Sequence, residues 1–579
     1  MSRSSPRGRL KAVAADFWQL INSPSTGRTL HVLPPMSRQN YRDLTHEQLV
    51  SLLEARDRRT ATRYGLVWET DGIEAEQALN GDYVALDLVP ELCCGPPPWR
   101  NLVIEGDNFD ALRALKPGFS GKVRCLATDP PYNTGNRDFL YNDRFIDKDD
   151  LWRHSKWLEF MFQRLTLAHD LLAEDGAAFI HIDDNEVFNL GLLMNKVFGE
   201  SNFIANCIWQ KRYSRENREA IGDAHEYVLI YAIDPDRFKK LRGKIPLDEK
   251  QAAVYKNPNK DLKGRWRGIP MTAQGFRPNQ MYPITSPDGT VHLPPEGRCW
   301  STVESEFLKL KDSGRVYWGK KGSSQPSTIR YLSEVEGLVP WTWWTHEEVG
   351  HTDESKKEIH AIMGKEMAFS TPKPTRLLDR ILQIGCDAKG IVLDIFAGSG
   401  TTGHAVLKAN AADGGNRRFV MVSNSEATAE EPDKNLCRDV CAERMRRVAA
   451  GYTKTDGTDV PGLGGGFAYL RCRRVPVGSL LELEHPAVWT ALQLRHLEAI
   501  APYDSEAPFQ WAEEGDSALC YVPRFRKEDL KALRERVDAS GSVVIYSWQP
   551  GLLRQHLRRP LVTHETLPTG LTRPFGLRI

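Results

Sequence analysis

Asp129-Pro130-Pro131-Tyr132 is a segment whose residue types suit one kind of chemistry. A carboxylate (Asp129) and a backbone carbonyl (Pro130) can each accept one N–H, so together they could hold an exocyclic amine. The lone pair of such an amine is delocalised into its ring, which makes it a poor nucleophile. Two acceptors would draw the nitrogen towards tetrahedral geometry and stabilise the positive charge that grows on it during attack. Pro130 and Pro131 fix the backbone and remove competing N–H groups, and Tyr132 offers a flat face to a base rotated out of its stack. Taken alone, the four residues read equally well as a proline-rich turn with an Asp cap. The context separates the two readings: an apolar run, Val123–Thr128, predicts a strand that ends at Asp129, and ligands gather at the carboxyl edge of open α/β sheets.

A second segment, Asp394-Ile395-Phe396-Ala397-Gly398-Ser399-Gly400-Thr401-Thr402, follows the apolar run Gly390–Leu393 and precedes a predicted helix over Gly403–Ala409. Its glycines allow a sharp turn and close approach of backbone to a ligand. No Lys follows the second glycine, so the segment is a nucleoside-cofactor loop and not a phosphate loop. The predicted strand Arg418–Ser423 is followed by Glu426, an acid placed to hold a ribose hydroxyl pair or simply an exposed loop acid. Phe396 suits either cofactor packing or the ordinary core.

These segments need a scaffold, and the pattern around them supplies one. Strand-like runs at Asn101–Glu105, Val123–Thr128 and Ala177–Ile182 alternate with helical spacing at Phe109–Leu115 and Trp157–Leu172, which predicts βαβ units and a parallel sheet. The alternation fades from Ile208 to about Gly350 and resumes with a helix at Leu377–Ile384. Between Trp209 and Gln280 there are 16 Lys/Arg against 9 Asp/Glu, whereas the whole chain of 579 residues carries a net charge of only +1. Any affinity for nucleic acid is therefore expected from a local concentration of charge. Lys211, Arg212, Arg215 and Arg218 form one basic run; Lys263, Arg265 and Arg267 surround Trp266 in another. Both suit phosphate contact. Trp341, Trp343 and Trp344 are expected to be buried.

Thr453–Gly466 reads as a linker by composition. The division expected is 1–95, partly disordered and then helical; 96–235, the catalytic half of the core; 236–365, a basic insertion with a lead-in from about 208; 366–470, the cofactor half; and 471–579, of unassigned role. The ten cysteines form no CxxC pair, and no metal cluster is evident. No run of about 18 apolar residues suggests a membrane span, and the basic N-terminus lacks the apolar core of a secretory signal. The chain is expected to be cytoplasmic.

Together, the DPPYNT and DxFxGSGTT segments resemble the amino-directed DNA methyltransferases that use S-adenosyl-L-methionine. Catalytic motif, basic insertion and cofactor motif follow in the order of the β class. Tyr64–Glu69, DPPYNTG and Arg277–Gly297 look especially like the modification subunits of type III restriction–modification systems. The resemblance implies an α/β, Rossmann-like S-adenosylmethionine-dependent methyltransferase fold with circularly permuted motif order, an inserted target-recognition domain and an extra C-terminal region. It implies methyl transfer to adenine N6 in double-stranded DNA, with cytosine N4, an RNA base, or a DNA-binding module without turnover as alternatives. Catalytic roles fall on Asp129, Pro130, Pro131 and Tyr132. Cofactor contacts fall on Asp394, Phe396, Ala397, Gly398, Gly400, Thr401 and Glu426. The segment Ile104–Asn108, similar to one that touches the cofactor's adenine, adds Asp107. Ser370–Arg376, similar to one that closes over its methionine end, adds Lys373. His225-Glu226-Tyr227 resembles the start of a core hairpin segment. The family also implies a homodimer and a separate helicase–nuclease restriction subunit.

Overall fold

The computed structural model describes residues 82–141, 144–147, 152–215, 220–257, 260–364, 371–427, 431–567 and 571. Residues 1–81 of the expected N-terminal segment 1–95, with Tyr64–Glu69 among them, lie outside them, as do Arg218 and Ser370.

Among the described residues, ten strands form one central sheet. In chain order they are β1 (Tyr83–Leu88), β2 (Leu102–Glu105), β3 (Val123–Thr128), β4 (Leu172–Ile182), β5 (Phe203–Gln210), β6 (His225–Ala232), β7 (Trp343–Trp344), β8 (Ile391–Asp394), β9 (Arg418–Ser423) and β10 (Ala468–Val475). Their order across the sheet is β1-β10-β2-β9-β8-β3-β4-β6-β5-β7. The run from β10 through β2, β9, β8 and β3 to β4 is parallel throughout. Every residue of β3, β8 and β9 is buried, as apolar strands covered on both faces should be. The helices that cover them include α1 (Asn108–Phe119), α2 (Arg153–Leu171), α3 (Thr352–Met363), α4 (Thr375–Gly385), α5 (Thr401–Asp413) and α6 (Glu443–Ala450).

Three features of this sheet position the site. First, β8 lies between β9 and β3 with all three parallel, so the loops after Thr128, Asp394 and Ser423 emerge side by side at one edge. This is the permuted Rossmann-like arrangement, because the strand that precedes the glycine loop comes late in the chain but sits at the centre of the sheet. Second, β6 runs antiparallel to β4, with Tyr227 opposite Ile182, which brings the start of β6 to the same edge. Third, β5 is antiparallel to β6 and ends there too, with Trp209 opposite Glu226.

Two of the boundaries drawn from composition cut through this sheet. β1 lies within the expected N-terminal segment 1–95, yet it pairs with β10, Tyr83 opposite Val475. β10 itself straddles the 470/471 boundary. Nor is Thr453–Gly466 a linker. Gly451–Thr453 and Asp459–Pro461 pair as a hairpin, and the glycines that follow serve close packing: a Cβ on Gly466 would lie 2.3 Å from the Cys94 carbonyl oxygen. Glycine-rich composition marks tight approach of backbones as readily as a hinge.

The C-terminal residues build a second sheet from Gln510–Glu514, Ser517–Val522, Ser542–Ser547 and Val562–Thr566. A helix, α7 (His485–His496), seats it on the β1/β10 edge. Leu492, Leu519, Tyr521 and Tyr546 join Tyr83, Ala85 and Val475 in one apolar cluster. α7 approaches α1 so closely that a Cβ on Gly118 would overlap the Leu494 carbonyl oxygen at 1.9 Å.

Candidate active site

The glycine loop is tied to the catalytic strand by one carboxylate. Asp394 Oδ1 accepts hydrogen bonds from Thr128 Oγ1 (3.0 Å) and Phe396 N (3.1 Å), and Oδ2 accepts from Thr402 Oγ1 (2.5 Å). Burial pushes its carboxyl up to about 6, against the pull of these hydrogen bonds. Asp394 thus spends its acceptors on the turn and on the end of β3. It orders the loop rather than reaching out of it. Ala397 N donates to the Val422 carbonyl, and Gly398 and Gly400 take φ values of +50° and +77°, which L side chains rarely adopt. Phe396 is half-buried, with its ring 5.9 Å from that of Phe160.

Beneath the loop lies a buried cation that sequence reasoning missed. Arg444, on α6, is 1% exposed. It donates to Thr401 Oγ1 (2.8 Å) and Ser399 Oγ (3.2 Å), and to Thr375 Oγ1 (3.3 Å) and His404 Nδ1 (3.1 Å). It therefore fastens the glycine loop to the start of α4. Its signal in the sequence was its spacing: Cys441, Met445 and Val448 put it on the apolar stripe of its helix.

On the cofactor side, Asp107 follows the end of β2 and caps α1 through Oδ1, while Oδ2 takes a hydrogen bond from Arg164 (2.8 Å); its side chain remains 45% exposed. Glu426 sits in the loop after β9 at φ +52° and pairs with Lys434 at 3.3 Å. The glycine turn is thus flanked by two accessible carboxylates and a half-buried ring. Such acceptors and the ring fit a nucleoside that carries ribose hydroxyls, an adenine and positive charge at sulfur. They would not favour a polyphosphate.

On the catalytic side, Asp129, Tyr132, Glu226 and Lys373 converge. Tyr132 Oη lies 2.7 Å from Asp129 Oδ1 and 2.9 Å from Glu226 Oε2. Lys373 Nζ lies 2.8 Å from that hydroxyl, 3.0 Å from Asp129 Oδ2 and 3.0 Å from Glu226 Oε2. The ammonium also lies near two rings, 4.9 Å from the centroid of Tyr132, at its hydroxyl end, and 5.5 Å from that of Trp209. Burial works against the Lys373 charge, but Asp129 and Glu226 outweigh it and raise its pKa. Burial likewise opposes the Glu226 charge, yet Lys373 and Lys211 prevail and bring it down to about 2. Tyr132 is held well above its ordinary value by burial and by the two carboxylates. Behind this group, Trp157 Nε1 donates to the Pro131 carbonyl (2.7 Å) and Asn133 donates to the buried Glu186 (2.5 Å), which fixes the backbone of the loop.

Lys373 was expected at the methionine end of a cofactor; in the structure its ammonium faces Asp129. The segment that carries it is held by Ser355 Oγ, which donates to the Pro372 carbonyl (2.7 Å). Ser355 is buried, although the sequence around it reads as an exposed charged stretch. Glu226 had no assigned role. Its signal was alternation: it shares the buried positions of β6 with Val228, Ile230 and Ala232, an acid where apolar residues are expected.

The basic candidates divide. Lys211 is not an exposed phosphate contact: it is paired with Asp223 (2.8 Å) and Glu226 (3.5 Å) and only 12% exposed, because β5 ends at the site edge. Arg212, Arg215, Lys263, Arg265 and Arg267 are exposed. Trp266, between them, is buried against Tyr317. Of the three clustered tryptophans, Trp344 is buried, but Trp341 and Trp343 are exposed, since the short β7 lies at the sheet's edge and buries alternate residues.

Strand order and site together define a Rossmann-like protein of the methyltransferase type. A family model described as DNA methylase matches residues 123–422, more than half of the chain. The chain belongs to that family. The Mod subunit of the type III restriction–modification enzyme StyLTI from Salmonella typhimurium is 36% identical over 385 residues, which cover 61% of this chain and 57% of that protein. The EcoPI Mod subunit of Escherichia phage P1 is 32% identical, with 56% and 58% covered. The type II methyltransferase M.KpnI of Klebsiella pneumoniae is 29% identical, with 55% and 79% covered. The chain spans less than two thirds of the length of these two Mod subunits.

Proposed function

We propose that this protein transfers a methyl group from S-adenosyl-L-methionine to the N6 amino group of an adenine in double-stranded DNA. In this reading it is the modification and recognition subunit of a type III restriction–modification system. The observation that carries the reading is the parallel adjacency of β3 and β8. It sets the Asp129 segment and the glycine loop side by side, as transfer between an amine and a sulfonium requires.

The cofactor supplies an already activated methyl group. Asp107 and Glu426 are placed to hold its hydroxyl and amino groups, and Phe396 and the turn Gly398–Gly400 to receive its rings and sulfur. The target adenine must leave the duplex to reach Asp129. Asp129 and the Pro130 carbonyl then accept the two N–H groups of the amine. They direct its lone pair at the methyl carbon and stabilise the charge that develops on nitrogen. Tyr132 provides the face against which the base stacks. The exposed basic residues of the insertion, Arg265 and Arg267 among them, supply phosphate contacts for the duplex.

The Mod relatives support the modification role and a separate restriction subunit as partner; a cytoplasmic setting and a homodimer are part of the same proposal. Adenine is favoured over cytosine because the first motif position is Asp. Among the described residues, no helix is long and apolar enough to cross a membrane.

The test is incubation of the protein with labelled cofactor and duplex DNA, followed by digestion to nucleosides. Label in N6-methyl-2′-deoxyadenosine is expected. Label in N4-methylcytosine, or none with DNA of varied sequence, would overturn the proposal.

A further inference from the structure

Both oxygens of Asp129 are engaged by neighbouring side chains: Oδ1 by Tyr132 and Oδ2 by the Lys373 ammonium at 3.0 Å. The ammonium reproduces what a target amine would do. It is an N–H donor on the same carboxylate, and it touches the same tyrosine, 2.8 Å from its hydroxyl. A target amine would compete with it for Asp129. A second anion lies equally near, for Glu226 Oε2 is also 3.0 Å from Lys373 Nζ. The other oxygen of Glu226 faces Lys211 at 3.5 Å, and Lys211 in turn is held by Asp223.

We propose that Lys373 is the resident occupant of the target-amine position, and that Glu226 is the positioning residue that takes the ammonium over when the base enters. The inference rests on the function proposed above and adds two roles to it. Electrostatics gives the reason for a second carboxylate. During transfer, positive charge grows on the amine nitrogen beside Asp129. An ammonium left there without its own counter-charge would oppose that growth in a site where charges are poorly screened. Glu226 neutralises the displaced Lys373, so the field of Asp129 acts on the amine alone. No side chain need travel far, since every partner of the new arrangement is already in contact. His181, buried on β4 with neither ring nitrogen hydrogen-bonded, completes the surroundings as a neutral wall; burial takes its pKa down to about 4.

Two measurements on the full chain test this. The first is the single-turnover rate of methyl transfer, at saturating cofactor, for the wild type, Glu226→Gln, Lys373→Met and the double variant. Glu226→Gln strands a buried cation beside the reacting nitrogen and should slow transfer about tenfold or more. Adding Lys373→Met removes that cation, so the double variant should be faster than Glu226→Gln alone. Losses that simply multiply would mean that the two residues act independently, and a double variant no faster than Glu226→Gln would mean that the stranded cation is not what slows transfer; either would overturn the proposal. The second measurement is the fluorescence of a duplex with 2-aminopurine at the target position, which rises when the base leaves the stack. Lys373→Met should show more base entry than the wild type, because nothing has to leave Asp129. Equal or lower entry would overturn the proposal, even if Glu226→Gln did not fold. If wild-type protein transferred no methyl group to any DNA, the functional reading itself would fail, and this inference with it.

Discussion

Replacing Asp394 by Asn should stabilise the protein at neutral pH and lose that advantage in acid. The carboxyl is 5% exposed, and burial raises its pKa from 3.8 to about 6 even though three hydrogen bonds favour the charge. A group whose folded pKa is raised binds its proton more tightly folded than unfolded. Its effect on stability is therefore most favourable below pH 3.8 and declines as pH rises through the window up to about 6. At about 1.36 kcal/mol per pH unit, that decline reaches about 3 kcal/mol by neutrality. Asparagine keeps the shape without the charge. Its Oδ1 can accept from Thr128 and Phe396, and its Nδ2 can donate to the Thr402 hydroxyl, which is free to rotate. Urea unfolding at a series of pH values measures the difference. The variant should be firmer by about 3 kcal/mol near pH 7.5, with an unchanged denaturant slope, and the gap should close as pH falls towards about 4. If Asp394→Asn were instead less stable than the wild type at pH 7.5, the ionised carboxylate would be a net stabiliser and the burial reasoning would be refuted.

Further substitutions probe the support of the glycine loop and the hold on the duplex. Arg444→Met removes the donors that hold Ser399 and Thr401, at a cost of about 2–4 kcal/mol in denaturant unfolding; calorimetry should show weaker cofactor binding, and unchanged binding would mean the glycine loop holds its shape unaided. Arg265→Ala with Arg267→Ala should lower the slope of log affinity against log salt, measured by DNA titration, by about 0.9 for each phosphate left without its cation. Lys211→Met should leave that slope unchanged, because its ammonium is committed to Asp223 and Glu226.

The parts of the fold that local pattern determines were legible beforehand. β3 and β9 fall on the predicted Val123–Thr128 and Arg418–Ser423, because fully buried parallel strands are unbroken apolar runs. The loops that follow them announce themselves by Pro and Gly. What depended on distant pairing was not legible. Nothing local in Tyr83–Leu88 says that it will meet residues almost four hundred positions later, so a strand of the sheet was assigned to an N-terminal segment. The same limit hid half of the catalytic cluster. Asp129 and Tyr132 declare themselves within four residues, but Glu226 and Lys373 reach them only because β6 is antiparallel to β4 and Pro372 is pinned by α3. Lys211 was misplaced for the same reason: a basic run reads as surface until its first residue proves to be the end of an interior strand.

A crystal structure with cofactor and a target duplex would test the central claim most directly. The adenine amine is expected within about 3 Å of the Asp129 carboxylate, with the methyl carbon about 3–3.5 Å from that nitrogen and the sulfur behind it in line. Cofactor seated away from the Gly398–Gly400 turn, or a base held without Asp129, would contradict it.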